Sequence, residues 1–176
     1  IEVKSAEMLE AINRSEIDVQ IATARRYQRD IEQCKNNMIT LASIDEDVAY
    51  SCFYHLERTD KDGKRAIIEG PSVRFTEIIS ACWKNLRIAG RIIGNDGKTI
   101  TAQGICHDLE TNVAYSTEVK RNITNKYGKT FSQDMQVVVG NAAVAIAQRN
   151  AICKVVPQVL ISSVVKEVQA KALEHI

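Results

Sequence analysis

No run of this 176-residue chain stays apolar over the roughly 20 positions that a membrane-spanning helix requires, so no helical membrane anchor is expected. No signal peptide is visible, and a cytoplasmic protein is the expectation. Internal repeats, low-complexity tracts and interdomain linkers are missing too, which leaves one domain over residues 1–176. The cysteines (Cys34, Cys52, Cys82, Cys106 and Cys153) are odd in number and scattered through apolar patterns. That favours reduced, buried thiols over a disulfide framework. Cys52-x-x-His55 has no matching second pair to complete a site with Cys106 and His107, so zinc is not expected. No nucleophile triad stands out: His55 and His107 fall within predicted strands, His175 is near the end, and no Ser or Cys elbow is present. Gly94-Asn95-Asp96-Gly97-Lys98-Thr99 ends like a phosphate-binding loop, but Ile92 stands where that loop needs glycine, and the segment reads as a hairpin turn. ATP binding, or any other cofactor, is therefore not expected, and neither is catalysis. Aromatics are scarce, with one Trp, five Tyr and three Phe, so a ligand surface would have to work by charge more than by stacking.

The net charge of +1 conceals an asymmetry. Residues 1–62 carry 13 acids and 8 bases, whereas residues 63–155 carry 7 acids and 13 bases. A basic working surface in the middle of the chain follows from this.

Periodicity gives an α+β class: N-terminal helices, a β-hairpin, a helix, a three-stranded antiparallel meander and long C-terminal helices. A short helix is expected over 5–15 and a longer one over 18–43, broken near Thr23. Ala24, Tyr27, Ile31, Cys34, Met38 and Leu41 form the apolar stripe of the longer helix. Arg25 and Arg29 fall on its polar side, and Arg26 is spaced to pair with Asp30. Residues 49–58 and 65–69 read as a hairpin turning at Asp62-Gly63. Gly70-Pro71-Ser72 starts a helix that runs to about Lys84. The meander strands are 85–94, 98–108 and 112–123, with Leu86, Ile88 and Ile92 on one face and Arg87 and Arg91 on the other. The polar face continues through Thr99, Thr101, Gln103 and His107, then Ser116, Glu118, Lys120 and Asn122. A helix over 132–156 stops at Pro157, and a last one reaches about Leu173. Residues 1–43 thus form a helical part suited to subunit contacts, 44–157 an α+β core and 158–176 a C-terminal helix.

The candidate site is a phosphate-binding surface. Arg87, Arg91, Lys98, Lys120, Arg121, Lys126 and Lys129 fall in or beside the predicted sheet, and such cations bind nucleic acid strongly and without regard to sequence. Tyr127 and Phe131 lie among them and are available to stack on bases. On the long helix Gln136, Gly140, Ala143, Ala147, Asn150 and Lys154 share a face. Its small residues read as helix packing, while Asn150 and Lys154, with Arg149, suit phosphate. Arg25 is a further candidate, as is Arg74 beside the helix start at Pro71 and Ser72. The alternative is a Mg-dependent nuclease, in which Asp108 and Glu118 hold the metal and Lys120 orients water.

Five stretches carry a family resemblance. They are Ile68-Glu69-Gly70-Pro71-Ser72-x-Arg74-Phe75, Ala81-Cys82-Trp83-Lys84-Asn85 and Gln103-Gly104-x-x-His107-Asp108-Leu109-Glu110-Thr111-Asn112. Gly140-Asn141-Ala142-Ala143 and Arg149-Asn150-Ala151-Ile152-Cys153-Lys154-Val155-Val156-Pro157 complete the set. In this order they resemble phage and prophage proteins related to the RecT and Redβ single-strand annealing proteins, over most of residues 18–157. The resemblance implies an ATP-independent recombinase of a bacterial host cell. Such a protein forms rings or filaments and anneals complementary strands in homologous recombination. It implies a positively charged groove lined by a sheet, a hairpin and the late helix, holding single-stranded DNA and the annealed duplex intermediate. It also implies a phage exonuclease and a host single-strand-binding protein as partners. An acidic N-terminal part meeting a basic part of the next copy suits such assembly.

Overall fold

A helix of 25 residues, α1 (Glu2–Arg26), opens the chain in the computed structural model, which describes residues 2–59 and 65–173. The helix runs unbroken through the gap expected at 16–17 and through Thr23, whose hydroxyl donates to the Val19 carbonyl at 2.9 Å and so needs no partner outside the helix. The break falls at 27–30 instead. Asp30 is extended there, and its carboxylate accepts the Gln33 N–H at 2.8 Å, capping α2 (Ile31–Ala42). Asp30 is thus a helix cap and not the partner of Arg26, whose guanidinium lies 5.5 Å from the Tyr27 ring. The break also divides the expected stripe: Ala24, Cys34 and Met38 are buried, while Tyr27, Ile31 and Leu41 are exposed.

Asp45 accepts the Val48 N–H at 2.7 Å and caps α3 (Glu46–Ser51), with Glu46 and Asp47 at the positive end of the helix. Residues 49–51 are therefore helical, and the hairpin begins later. Its strands, β1 (Phe53–Thr59) and β2 (Arg65–Pro71), pair antiparallel. The turn expected at Asp62-Gly63 lies outside the described residues. Pro71 closes β2 opposite Phe53 instead of opening a helix. Ser72 is the N-cap of α4 (Val73–Trp83): its Oγ accepts the Phe75 N–H at 3.2 Å and donates to the Ser51 carbonyl at 2.7 Å.

The meander is present as β3 (Leu86–Asn95), β4 (Thr99–Asp108) and β5 (Val113–Asn122), antiparallel in that order, so β3 and β5 are the edges. Helix α5 (Gln133–Val155) packs on this sheet, and Pro157 separates it from α6 (Gln158–Leu173). Burial alternates along β4, with Ile100, Ala102, Gly104, Cys106 and Asp108 turned inward. The small-residue face of α5 is a packing face, as its composition suggested: Gly140, Ala143, Ala147 and Ala151 are buried. At Gly104 a Cβ would run into the backbone of Ala147, and the buried Thr117 hydroxyl donates to the Ala147 carbonyl at 2.6 Å. Gly104→Ala forces α5 off the sheet, and overpacking of this kind costs about 1–3 kcal/mol or more. A melting curve will show a fall of roughly 2–12 °C for a domain of this size.

The main core lies between α2, α4, α6 and the end of α5, where Met38, Phe75, Ile79, Val156, Ile161 and Val164 are fully or almost fully buried. The cysteines join it: burial pushes the Cys106 thiol up to about 12 and Cys52 to about 11. No helix among the described residues is long and apolar enough to cross a membrane.

Candidate nucleic-acid interface

Side chains of one parity share a face of a strand. Across the sheet Arg87 stands opposite His107 and Ala114, Arg91 opposite Gln103 and Glu118, and Gly94 opposite Thr101 and Lys120. Arg87, Arg91 and Lys120 therefore share the face turned away from α5. Arg91 Nε donates to Gln103 Oε1 at 3.1 Å, which steadies the guanidinium without neutralising it. Arg87 Nη1 reaches Gln20 Oε1 of α1 at 3.3 Å.

Arg121 has the opposite parity and belongs to the α5 side. Because β5 is an edge, that side opens as a seam between β5 and α5. Two shallow clefts form the seam. One, of about 530 Å³, is lined by Lys120, Arg121, Asn122, Val138, Val139 and Ala142. The other, of about 600 Å³, is lined by Ser116, Thr117, Glu118, Asn150, Cys153 and Lys154. Lys120 and Arg121 thus border the first cleft, and Asn150 and Lys154 the second.

At one end of the sheet the β3–β4 turn and the loop 123–132 meet. Ile123 N–H donates to the Lys98 carbonyl at 2.8 Å, and Thr130 Oγ1 donates to the Gly97 carbonyl at 3.0 Å. Asp96 accepts the Thr99 N–H at 2.6 Å, the Lys98 N–H at 2.9 Å and the Thr99 hydroxyl at 2.8 Å. Those bonds, the Thr99 N–H first, hold its carboxyl down to about 2. In the loop Asn125 Oδ1 accepts the N–H groups of Tyr127 and Lys129 at 2.9 and 3.0 Å, and Gly128 takes φ +79. This brings Lys98, Lys126 and Lys129 to one tip. Phe131 is half-buried, with its N–H on the Ile123 carbonyl at 2.8 Å, and Tyr127 is 81% exposed.

Arg149 lies elsewhere in role. Its guanidinium sits 5.0 Å from the Tyr54 ring, and its Nε and Nη2 donate to Asn150 Oδ1 at 3.2 and 3.1 Å. It therefore ties α5 to the hairpin. Sequence reasoning missed Tyr54. The available signal was Gly70, which pairs with Tyr54 and where a Cβ would strike the tyrosine ring. Arg25 and Arg74 are exposed on α1 and α4 and line neither cleft. The start of α4 is occupied by its own Ser72 cap.

The nuclease constellation is not assembled. Asp108 pairs with Val113 and faces the interior, whereas Glu118 and Lys120 lie on the open face. Asp108 is only 3% exposed and belongs to a buried ion-pair hub. Arg29, expected on a polar face, has a side chain 6% exposed. Its Nη1 and Nη2 donate to Asp108 Oδ2 and Oδ1 at 2.5 and 2.7 Å, and its guanidinium covers the Trp83 ring at 4.4 Å. Arg29 Nε lies 3.2 Å from Glu110 Oε1, within ion-pair range but out of line for a hydrogen bond. Asn85 Nδ2 donates to the same Glu110 oxygen at 2.5 Å and to the Tyr27 carbonyl at 2.9 Å. Burial alone raises the Asp108 pKa, but the bonds from Arg29, Glu110 N–H and Thr111 N–H outweigh it, and the net direction is down. No group of three or more potential metal ligands occurs among the described residues.

No protein-family model, curated protein or solved structure matches the chain. The resemblance to annealing proteins is carried by five motifs alone. Several of their residues (Trp83, Asn85, Asp108 and Glu110) belong to the buried hub, which pins the α1–α2 junction to the end of the sheet.

Proposed function

We propose that this protein binds single-stranded DNA along its phosphates and promotes pairing of complementary strands, acting as a homo-oligomer without cofactor or bond cleavage. One observation carries the reading. None of the ion pairs among the described residues involves Arg87, Arg91, Lys98, Lys120, Arg121, Lys126, Lys129 or Lys154. Glu118 shares the open face and Asp96 is within electrostatic reach of Lys120, but the cations outnumber these acids, and a polyanion relieves their mutual repulsion while releasing its own counterions. Annealing requires backbone affinity with little base readout, because every sequence must be accepted.

The test is the fate of two labelled complementary oligonucleotides, with EDTA or with Mg²⁺. Accelerated pairing in EDTA supports the proposal. Shortened strands that appear only with Mg²⁺ would indicate a nuclease, and no mobility shift at low salt would remove nucleic acid altogether.

Helix α1 supports the oligomeric part. Met8, Leu9 and Val19 are 66%, 61% and 62% exposed on a helix with little contact to the rest of the chain. Apolar side chains left open along one helix suit burial against a second copy. Met8→Asp combined with Leu9→Asp will convert the assembly to monomers in light scattering while leaving the melting temperature close to wild type.

A further inference from the structure

We propose that Tyr127 is a stacking platform for one unpaired nucleobase, which makes the tip of the sheet selective for single-stranded over duplex DNA. This rests on the nucleic-acid reading above and adds to it a contact that phosphate binding does not require.

The position of the ring supports the inference. Tyr127 is the most exposed of the large apolar or aromatic side chains among the described residues, at 81%. A tyrosine usually buries its ring and wets only its hydroxyl. Here the backbone beneath it is fixed. Asn125 Oδ1 holds both the Tyr127 and Lys129 N–H groups, Asn125 N–H donates to the Lys129 carbonyl at 2.9 Å, and Thr124 bridges to Thr130. The Thr130 hydroxyl then ties the loop to the Gly97 carbonyl of the neighbouring turn. The ring is thus presented on a braced turn, and its ordering cost is largely met before a ligand arrives.

Its neighbours define the ligand. Lys126 Nζ lies 5.0 Å from the ring centroid, and Lys98 and Lys129 stand on the two turns that meet here. An exposed ring with one ammonium over it and two further lysines on the adjoining turns matches a base flanked by phosphates. Charge distinguishes it from Tyr50, which is also exposed but shares α3 with Glu46 and Asp47. Phe131, the other aromatic of the loop, is half-buried and does not compete.

Stacking needs a free π-face. In a duplex each base is covered by its neighbours, and exposing one costs a few kcal/mol. A nucleobase on Tyr127 is therefore available before pairing and withdrawn after it. The tip holds a single strand and loosens its hold on the product.

The experiment compares oligo-dT with an abasic oligodeoxynucleotide of equal length, which keeps the phosphates and lacks the bases. Binding of both to the full chain is measured by fluorescence anisotropy at one salt concentration. Tyr127→Ala will weaken oligo-dT binding about tenfold, the scale of one lost base–aromatic stack, and leave abasic binding unchanged. Tyr127→Phe will keep wild-type affinity for oligo-dT. Equal losses on both oligonucleotides, or no loss on either, would overturn the platform while leaving phosphate binding intact. If the wild-type protein bound neither, the DNA reading itself would fall, and the platform with it.

Discussion

Asp108→Asn will lower the stability of the domain by about 3 kcal/mol, because it removes the bidentate partner of a buried guanidinium and leaves Glu110 as its one remaining counter-charge. Thermal unfolding will show a melting temperature lower by roughly 6–12 °C. The paired replacement of Arg29 by Met and Asp108 by Leu will recover part of that loss, since the guanidinium and its bidentate partner go together and Glu110 keeps the hydrogen bond from Asn85. The hub also sets an acid limit. The Asp108 pKa is lowered in the folded protein, so its contribution is complete above the unfolded-state value of about 3.9. That contribution fades as pH falls through the lower folded value. Wild type will therefore lose stability steeply below about pH 4, and Asp108→Asn will lack that part of the slope. Equal acid sensitivity of the two proteins would show that the hub does not set it.

Removing the charges of Lys120, Arg121, Lys126 and Lys129 together, each to Gln, will have the largest functional effect. Each phosphate contact on a single strand contributes about 0.7 to the slope of log K against log salt. Four lost contacts flatten that slope by up to about 3, which at 0.1 M salt weakens binding by roughly 10²–10³-fold relative to 1 M. Annealing at low salt will fall with it. The four side chains are exposed and the ion pairs among the described residues do not include them, so the melting temperature will change little. Wild-type affinity in this variant would move the site elsewhere, with the open-face Arg87 and Arg91 the next to replace.

The sheet was legible because alternation and turn chemistry agree along it. Asn95-Asp96-Gly97 closes one hairpin with Gly97 at φ +81, and Asn112 turns the next at φ +57. The strand bounds differ from expectation by only a residue at each end. The break after α1 was misplaced because Thr23 looks like a helix disruptor, yet it bonds back to Val19. The real signal was Asp30, read as an ion-pair partner although it can equally cap. At α3 the same chemistry was present in Asp45-Glu46-Asp47, but the apolar spacing after it suggested a strand.

The site was legible only in part. Parity along β5 gave the open face with Lys120, but it could not show that Arg121 gains a seam of its own, which requires β5 to be an edge strand. Nothing local marks Arg29 as buried: its partner is 79 residues away and its environment is set by Trp83. For the same reason Asp108 read as a metal ligand when its carboxylate is wholly engaged by Arg29 and two backbone N–H groups. Arg149 read as a free cation because Gly70, which marks room for the Tyr54 ring, does not show that α5 brings Arg149 against that ring.

Phosphate binding through unpaired cations is tested most directly by affinity across a salt series, in EDTA, for single strands of equal length and different sequence. The expected result is one steep negative slope of log K against log salt, several times the roughly 0.7 of a single contact, shared by every sequence. A flat slope, or a slope that depends on sequence, would contradict it.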